Sequence, residues 1–199
     1  MNDAPESPEA LERSSRRSFV VFIVVTLVLL VASVVWGVLL ATRVLKPADR
    51  PAWLAAMHRW LGGLAVWFTV LHLVALVADN YVHFGWADLL VPGASSWRTG
   101  AVAVGVVSFW LLLGVQGTSL ALRRMPRPWW KGVHYTSYVA VWGVSVHAGL
   151  AGTDVTNRAY QALALLLTTV AVAAAVVRVL TPITARRRRP STPGASVST

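Results

Sequence analysis

The chain has 199 residues, 56% of them hydrophobic and 13% charged, whereas a soluble domain usually carries about a quarter charged residues. The formal net charge of +10 comes from Lys and Arg grouped beside apolar runs. Such grouping serves membrane orientation and attraction to anionic headgroups, so the lipid bilayer is the expected partner and no nucleic acid is expected.

Residues 1–18 are polar, with Pro5, Pro8 and several acids, and read as a disordered tail. Apolar runs then predict spans over 19–42, 57–79, 100–122, 132–151 and 158–180, each near the roughly 20 residues a helix needs to cross the hydrocarbon core. No alternating period suggests a barrel. The fold expected is an all-α integral membrane bundle of five spans in a single domain, 19–180, in the cell (plasma) membrane. Basic clusters lie at Arg43/Lys46/Arg50, at Arg123/Arg124/Arg127/Lys131 and at Arg186–Arg189, within a basic, disordered tail over 181–199. The loop at 80–99 has a single basic residue, Arg98, and the turn near 152–157 carries Asp154. Placing the clusters inside puts the N-terminus outside and the C-terminus in the cytoplasm. Arg13, Arg16 and Arg17 pull the other way. Ser15-Arg16-Arg17-Ser18-Phe19 has the look of a twin-arginine signal, but the run that follows is long enough to span and no small-residue cleavage site stands out. Trp53, Trp129 and Trp130 suit the inner interface, and Trp86 and Trp97 the outer one.

Four of the five histidines fall in two spans: His58 and His72 in the second, His134 and His147 in the fourth. An ionisable side chain inside a membrane is costly and is a functional hypothesis by default. Helix packing explains one such residue; four in this arrangement ask for more. His58 and His72 are 14 residues apart, so they nearly share a face and stand roughly 21 Å apart along the axis. His134 and His147 are 13 apart, roughly 20 Å. The two helices run parallel, so His58 is level with His134 and His72 with His147. Two levels with one histidine pair each suit two bis-imidazole haems. The interval of 13 turns the second ligand of the fourth helix by about 140°, so strong tilt or a local distortion is expected there.

Gly62 and Gly143 lie four residues from a histidine on its own face, where a missing side chain admits either a flat porphyrin or a close helix. Arg59, Arg127 and Lys131 are candidates for haem propionates or plain interface cations. Zinc wants three or four ligands in one cluster, and a proton relay usually has intramembrane acids, which these spans lack. With no cysteine in the chain, disulfides, iron–sulfur clusters and C-x-x-C-H attachment are excluded; any haem is a non-covalent b haem.

His58-Arg59-Trp60-Leu61-Gly62 through Leu71-His72, and Trp130-Lys131-Gly132-Val133-His134-Tyr135 through His147, resemble the two ligand helices of the ferric reductase-like transmembrane domain. That superfamily includes ferric reductases, the membrane core of NADPH oxidases and the haem-bearing partner of periplasmic methionine-sulfoxide reductase. The resemblance covers roughly residues 20–180 and implies two b haems passing electrons across the membrane. It departs from the usual six spans, and no flavin or nicotinamide domain follows the last helix. A separate flavin reductase or quinol is therefore the expected donor.

The function expected is electron transfer from that donor, through the His58–His134 and His72–His147 levels, to an acceptor protein or small molecule at the outer surface. Tyr81, His83 and Arg98 are candidates for shaping the acceptor side, and Trp67 and Trp142 lie at depths between the levels. The chain is then an electron-transfer subunit of an oxidoreductase that requires partners. Two alternatives are a dihaem anchor of a quinol-linked oxidoreductase complex, and a non-redox transporter or sensor with structural histidines.

Overall fold

The computed structural model describes residues 8–45, 50–78, 82–152 and 157–187, the side chains of 8–19 and 182–187 excepted. All regular structure in these residues is helical: α1 Pro8–Thr42, α2 Pro51–Ala78, a short α3 Trp86–Leu90, α4 Thr99–Leu120, a 3-10 turn Leu122–Arg124, α5 Arg127–Ala151 and α6 Arg158–Arg187. Four segments are long and apolar enough to cross a membrane: Val20–Thr42, Pro51–Ala78, Thr99–Leu120 and Arg158–Thr181. Helix α5 has the length but is too polar for that group, because Arg127, Lys131, His134, Tyr135, Ser137, Tyr138 and His147 interrupt its apolar surface.

Helix ends depart from the hydropathy boundaries in a consistent way. Pro51 opens α2 and Pro128 lies in the first turn of α5, positions where proline's missing N–H costs nothing and its φ is preset. Helix α1 reaches back to Pro8, into the segment expected to be a disordered tail, and α6 continues to Arg187, past the expected end at 180. The hydrogen-bond ladder needs no apolar side chains, and Leu, Glu, Arg and Ala propagate it well. Residues 188–199, Lys46, Asp154 and Tyr81 lie outside the described residues.

Helices α1 and α2 form an antiparallel pair whose register is marked by Trp36 against Trp53, Ser33 against His58 and Phe22 against Phe68. A second antiparallel pair, α4 and α5, is marked by Ser119 near His134, Ser108 under Gly143, Ala101 on His147 and Arg98 on Leu150. Helix α1 also packs on α6 and α5, and lighter contacts join α2 to α4 and α5 to α6. Leu27, Leu30, Val31, Ala65, Val141 and Ala171 form the shared core of α1, α2, α5 and α6. Hydroxyls within the helices bond back to the carbonyl four residues earlier, as at Thr26, Thr69, Ser108 and Ser145. These hydroxyl donors are thereby paired within their own helix.

The connection from α2 to α4 folds into a cap. Phe84 and Leu89 are buried against Val102 and Val106 of α4, Trp97 meets Phe84 edge-on at 5.7 Å, and the Trp110 indole N–H donates to the Leu90 carbonyl at 2.8 Å. This end of the bundle is the cap end. The other carries Arg50, Arg123, Arg124, Arg127 and Lys131 and is the basic end.

Ala65 is 0% exposed at the meeting of helices. Ala65→Leu is expected to overpack this point and cost about 1–3 kcal/mol, read as a lower thermal midpoint in detergent, whereas Leu64→Ala, at a 40% exposed neighbour, changes it little.

Candidate functional site

The four histidines of α2 and α5 come together as two pairs, one at each end of the bundle. At the basic end the rings of His58 and His134 lie 5.8 Å apart, centroid to centroid, with planes at 75°. At the cap end His72 lies within electrostatic range of His147. This is the level pairing expected from spacing. Helices α2 and α5 are not among the closely packed helix pairs of the described residues, so the space between them is bridged by these side chains. Among the described residues, no group of three or more His, Cys, Asp or Glu comes together.

A backbone carbonyl orients one histidine of each pair. His58 Nδ1 donates to the Ser33 carbonyl of α1 at 2.9 Å, with Ser33 Oγ 3.3 Å away. His147 Nδ1 donates to the Ala101 carbonyl of α4 at 2.8 Å. A carbonyl can only accept, so both rings carry their proton on Nδ1 and present a bare lone pair on Nε2. That is the tautomer an axial metal ligand needs, and such an Nδ1 bond fixes ring direction and raises ligand basicity. His134 is held differently: its ring stacks on Trp130 at 4.9 Å and 26°, and Ser119 Oγ stands 3.5 Å from its Nδ1.

Two glycines make the carbonyl seats possible. Gly37 follows Ser33 by four residues and Gly105 follows Ala101 by four, so each lies on the same helix face as that carbonyl, one turn on. A Cβ on Gly37 would come 3.0 Å from His58 Cε1, and one on Gly105 would come 2.6 Å from His147 Nδ1. Neither glycine, nor Ser33, Ala101, Ser119 or Trp130, is picked out as a site residue by sequence reasoning. Their signal is a pairing between neighbouring helices, and it needs the antiparallel register.

The glycines that sequence did select lie elsewhere. Gly143 packs on Ser108, where a Cβ would collide with its Oγ. Gly62 faces Gln116 and Ser33, with a Cβ position 3.2 Å from Gln116 Oε1 and 3.8 Å from Ser33 Oγ. Both serve close helix approach, Gly62 also bordering the polar surroundings of His58. Arg59, Arg127 and Lys131 are exposed at the basic end. His83 is exposed with φ of 56°. Arg98 has φ of 41°, donates to the Leu150 carbonyl at 2.6 Å and lies over the Trp97 ring at 5.0 Å; it ties α4 to the end of α5. Trp67 and Trp142 are 60% and 62% exposed.

Of the strong tilt or local distortion expected in α5, no break in the helix is seen from Arg127 to Ala151. His134 meets α2 across the gap, while His147 reaches onto α4. Their different directions around one helix are accommodated by different neighbours.

Gly105→Ala is expected to push His147 off its carbonyl and cost about 1–3 kcal/mol. Gly100→Ala, five residues earlier with open space around it, is expected to be neutral or slightly stabilising. Thermal unfolding of the two variants in detergent separates them.

The model of the family described as "Ferric reductase like transmembrane component" matches residues 17–145. The match takes in most of α1, all of α2 and α4 and most of α5, with His58, His72 and His134, and stops two residues before His147. No curated protein and no solved structure matches the chain. The chain is a multi-pass, all-helical membrane protein that belongs to the ferric reductase-like transmembrane family.

Proposed function

We propose that this chain carries electrons across the plasma membrane as a dihaem cytochrome subunit. In this reading His58 and His134 are the axial ligands of an inner b haem and His72 and His147 those of an outer one. The observation that carries it is the level pairing of four histidines between two helices that do not pack closely, with Nδ1 of His58 and of His147 engaged by carbonyls. The residues present fit the group: neutral imidazoles, paired rather than clustered, with Nε2 free on the two oriented rings and no thiolate in the chain. Held by two imidazoles each, two b haems would supply one-electron carriers at two depths, with irons that favour electron transfer over ligand binding.

In this arrangement α5 is the fifth span. Its polar side chains are tolerated because His134 and His147 turn toward α2 and α4, not lipid. The basic end faces the cytoplasm by the positive-inside rule, which puts the N-terminus outside and the C-terminus inside. The donor at the basic end is a cytoplasmic flavoprotein or quinol, and the acceptor meets the cap. Of the acceptor-side candidates, exposed His83 offers a free surface position, while Arg98 is engaged by Leu150 and Trp97.

The test is haem content with the reduced-minus-oxidised spectrum of purified protein, beside His58→Ala, His72→Ala, His134→Ala and His147→Ala. Two b haems per chain are expected, falling to one in each variant. A folded protein without haem after haem-supplemented expression contradicts the proposal.

A further inference from the structure

Most polar groups in the described spans find partners within the protein. The Trp130 indole nitrogen does not: it is buried, shielded from solvent, and has no hydrogen-bond acceptor. Its ring is also the one stacked on His134 at 4.9 Å. A buried donor of this kind calls for an acceptor that the protein alone does not provide. The cations first considered for that end, Arg59, Arg127 and Lys131, are all exposed.

Resting on the functional reading above, we propose that Trp130 is a contact of the inner haem, its N–H donating to a carboxylate oxygen of a haem propionate. Three features fit that chemistry. The donor lies one helical turn from His134 toward the basic end, about 6 Å along the axis. Indole N–H donates only and offers no lone pair to compete for iron. Exposed Arg127 and Lys131 flank Trp130 in sequence and supply positive potential around an anionic group. Trp130 therefore has two roles: its face holds the His134 ring, and its edge binds the group that His134 ligates.

An exposed indole supplies the control: Trp129 precedes Trp130 in α5 and is 73% exposed. Trp36 Nε1 is also buried and without an acceptor, but Trp36 adjoins Gly37, which seats His58, so it is no neutral reference.

Trp130→Phe keeps a stacking ring and removes the donor; Trp129→Phe makes the same chemical change at an exposed neighbour. The measurement is a potentiometric titration of both haems, with haem stoichiometry, in the two variants and the parent. A propionate bonded to N–H has part of its negative charge offset, which favours the reduced iron. Trp130→Phe is therefore expected to lower the midpoint of the inner haem by up to about 59 mV, a tenfold change in a one-electron equilibrium. The outer haem keeps its potential, and Trp129→Phe leaves both unchanged. Loss of the inner haem in Trp130→Phe alone supports the same assignment. Full loading with unchanged potentials in Trp130→Phe, or equal shifts in Trp129→Phe, overturns it. A parent protein without haem overturns the functional reading itself, a distinct result.

Discussion

An imidazole inside a bilayer has one N–H and one lone pair to satisfy, and no water is there to do it. In this bundle the N–H of His58 goes to the Ser33 carbonyl and that of His147 to the Ala101 carbonyl. Helix carbonyls already accept from the residue four positions on, and side chains ordinarily crowd them. Gly37 and Gly105 remove the side chain at that next turn, so an incoming ring reaches the oxygen. The consequence extends past the two bonds. The register of α1 against α2 and of α4 against α5 is tied to these seats, and the unengaged nitrogen of each ring is the one left for chemistry.

The same device is used once in each helix pair, but at opposite ends. The basic-end level takes its oriented histidine from α2, and the cap-end level takes its from α5. Their surroundings differ. Around His58 and His134 stand Ser33, Ser119, Trp130 and, over Gly62, Gln116. The cap end is closed by Phe84, Leu89 and Trp97, with Arg98 pinning the last turn of α5. A polar level and an apolar, capped level give any redox group different potentials, because hydrogen bonding and burial are what tune them.

The bundle and its histidine pairs were largely legible in the sequence because both rest on period and length. Intervals of 14 and 13 residues survive translation into depth whatever the packing does. Helix α5 shows where that reasoning weakens: its histidines and other polar side chains keep it out of the four segments apolar enough to cross a membrane. The glycines show the other limit. Gly62 and Gly143 share a helix face with a histidine, yet the glycines that touch the rings, Gly37 and Gly105, sit on the preceding helices. Proximity along one helix is readable from spacing, whereas contact across a helix pair depends on register. His147 shows the same limit: a wheel treats the helix alone, and His147 is oriented by α4. Arg98 reads as a free loop cation in sequence and is in fact occupied, since nothing local reveals the Leu150 carbonyl.

The central claim is that the histidines work in levels, one from α2 with one from α5, and not as pairs along a helix. Haem stoichiometry in two double variants decides it most directly. Level pairing predicts one remaining b haem in His58→Ala/His134→Ala and none in His58→Ala/His72→Ala. Equal haem content in the two, or more in the same-helix variant than in the level variant, would contradict it.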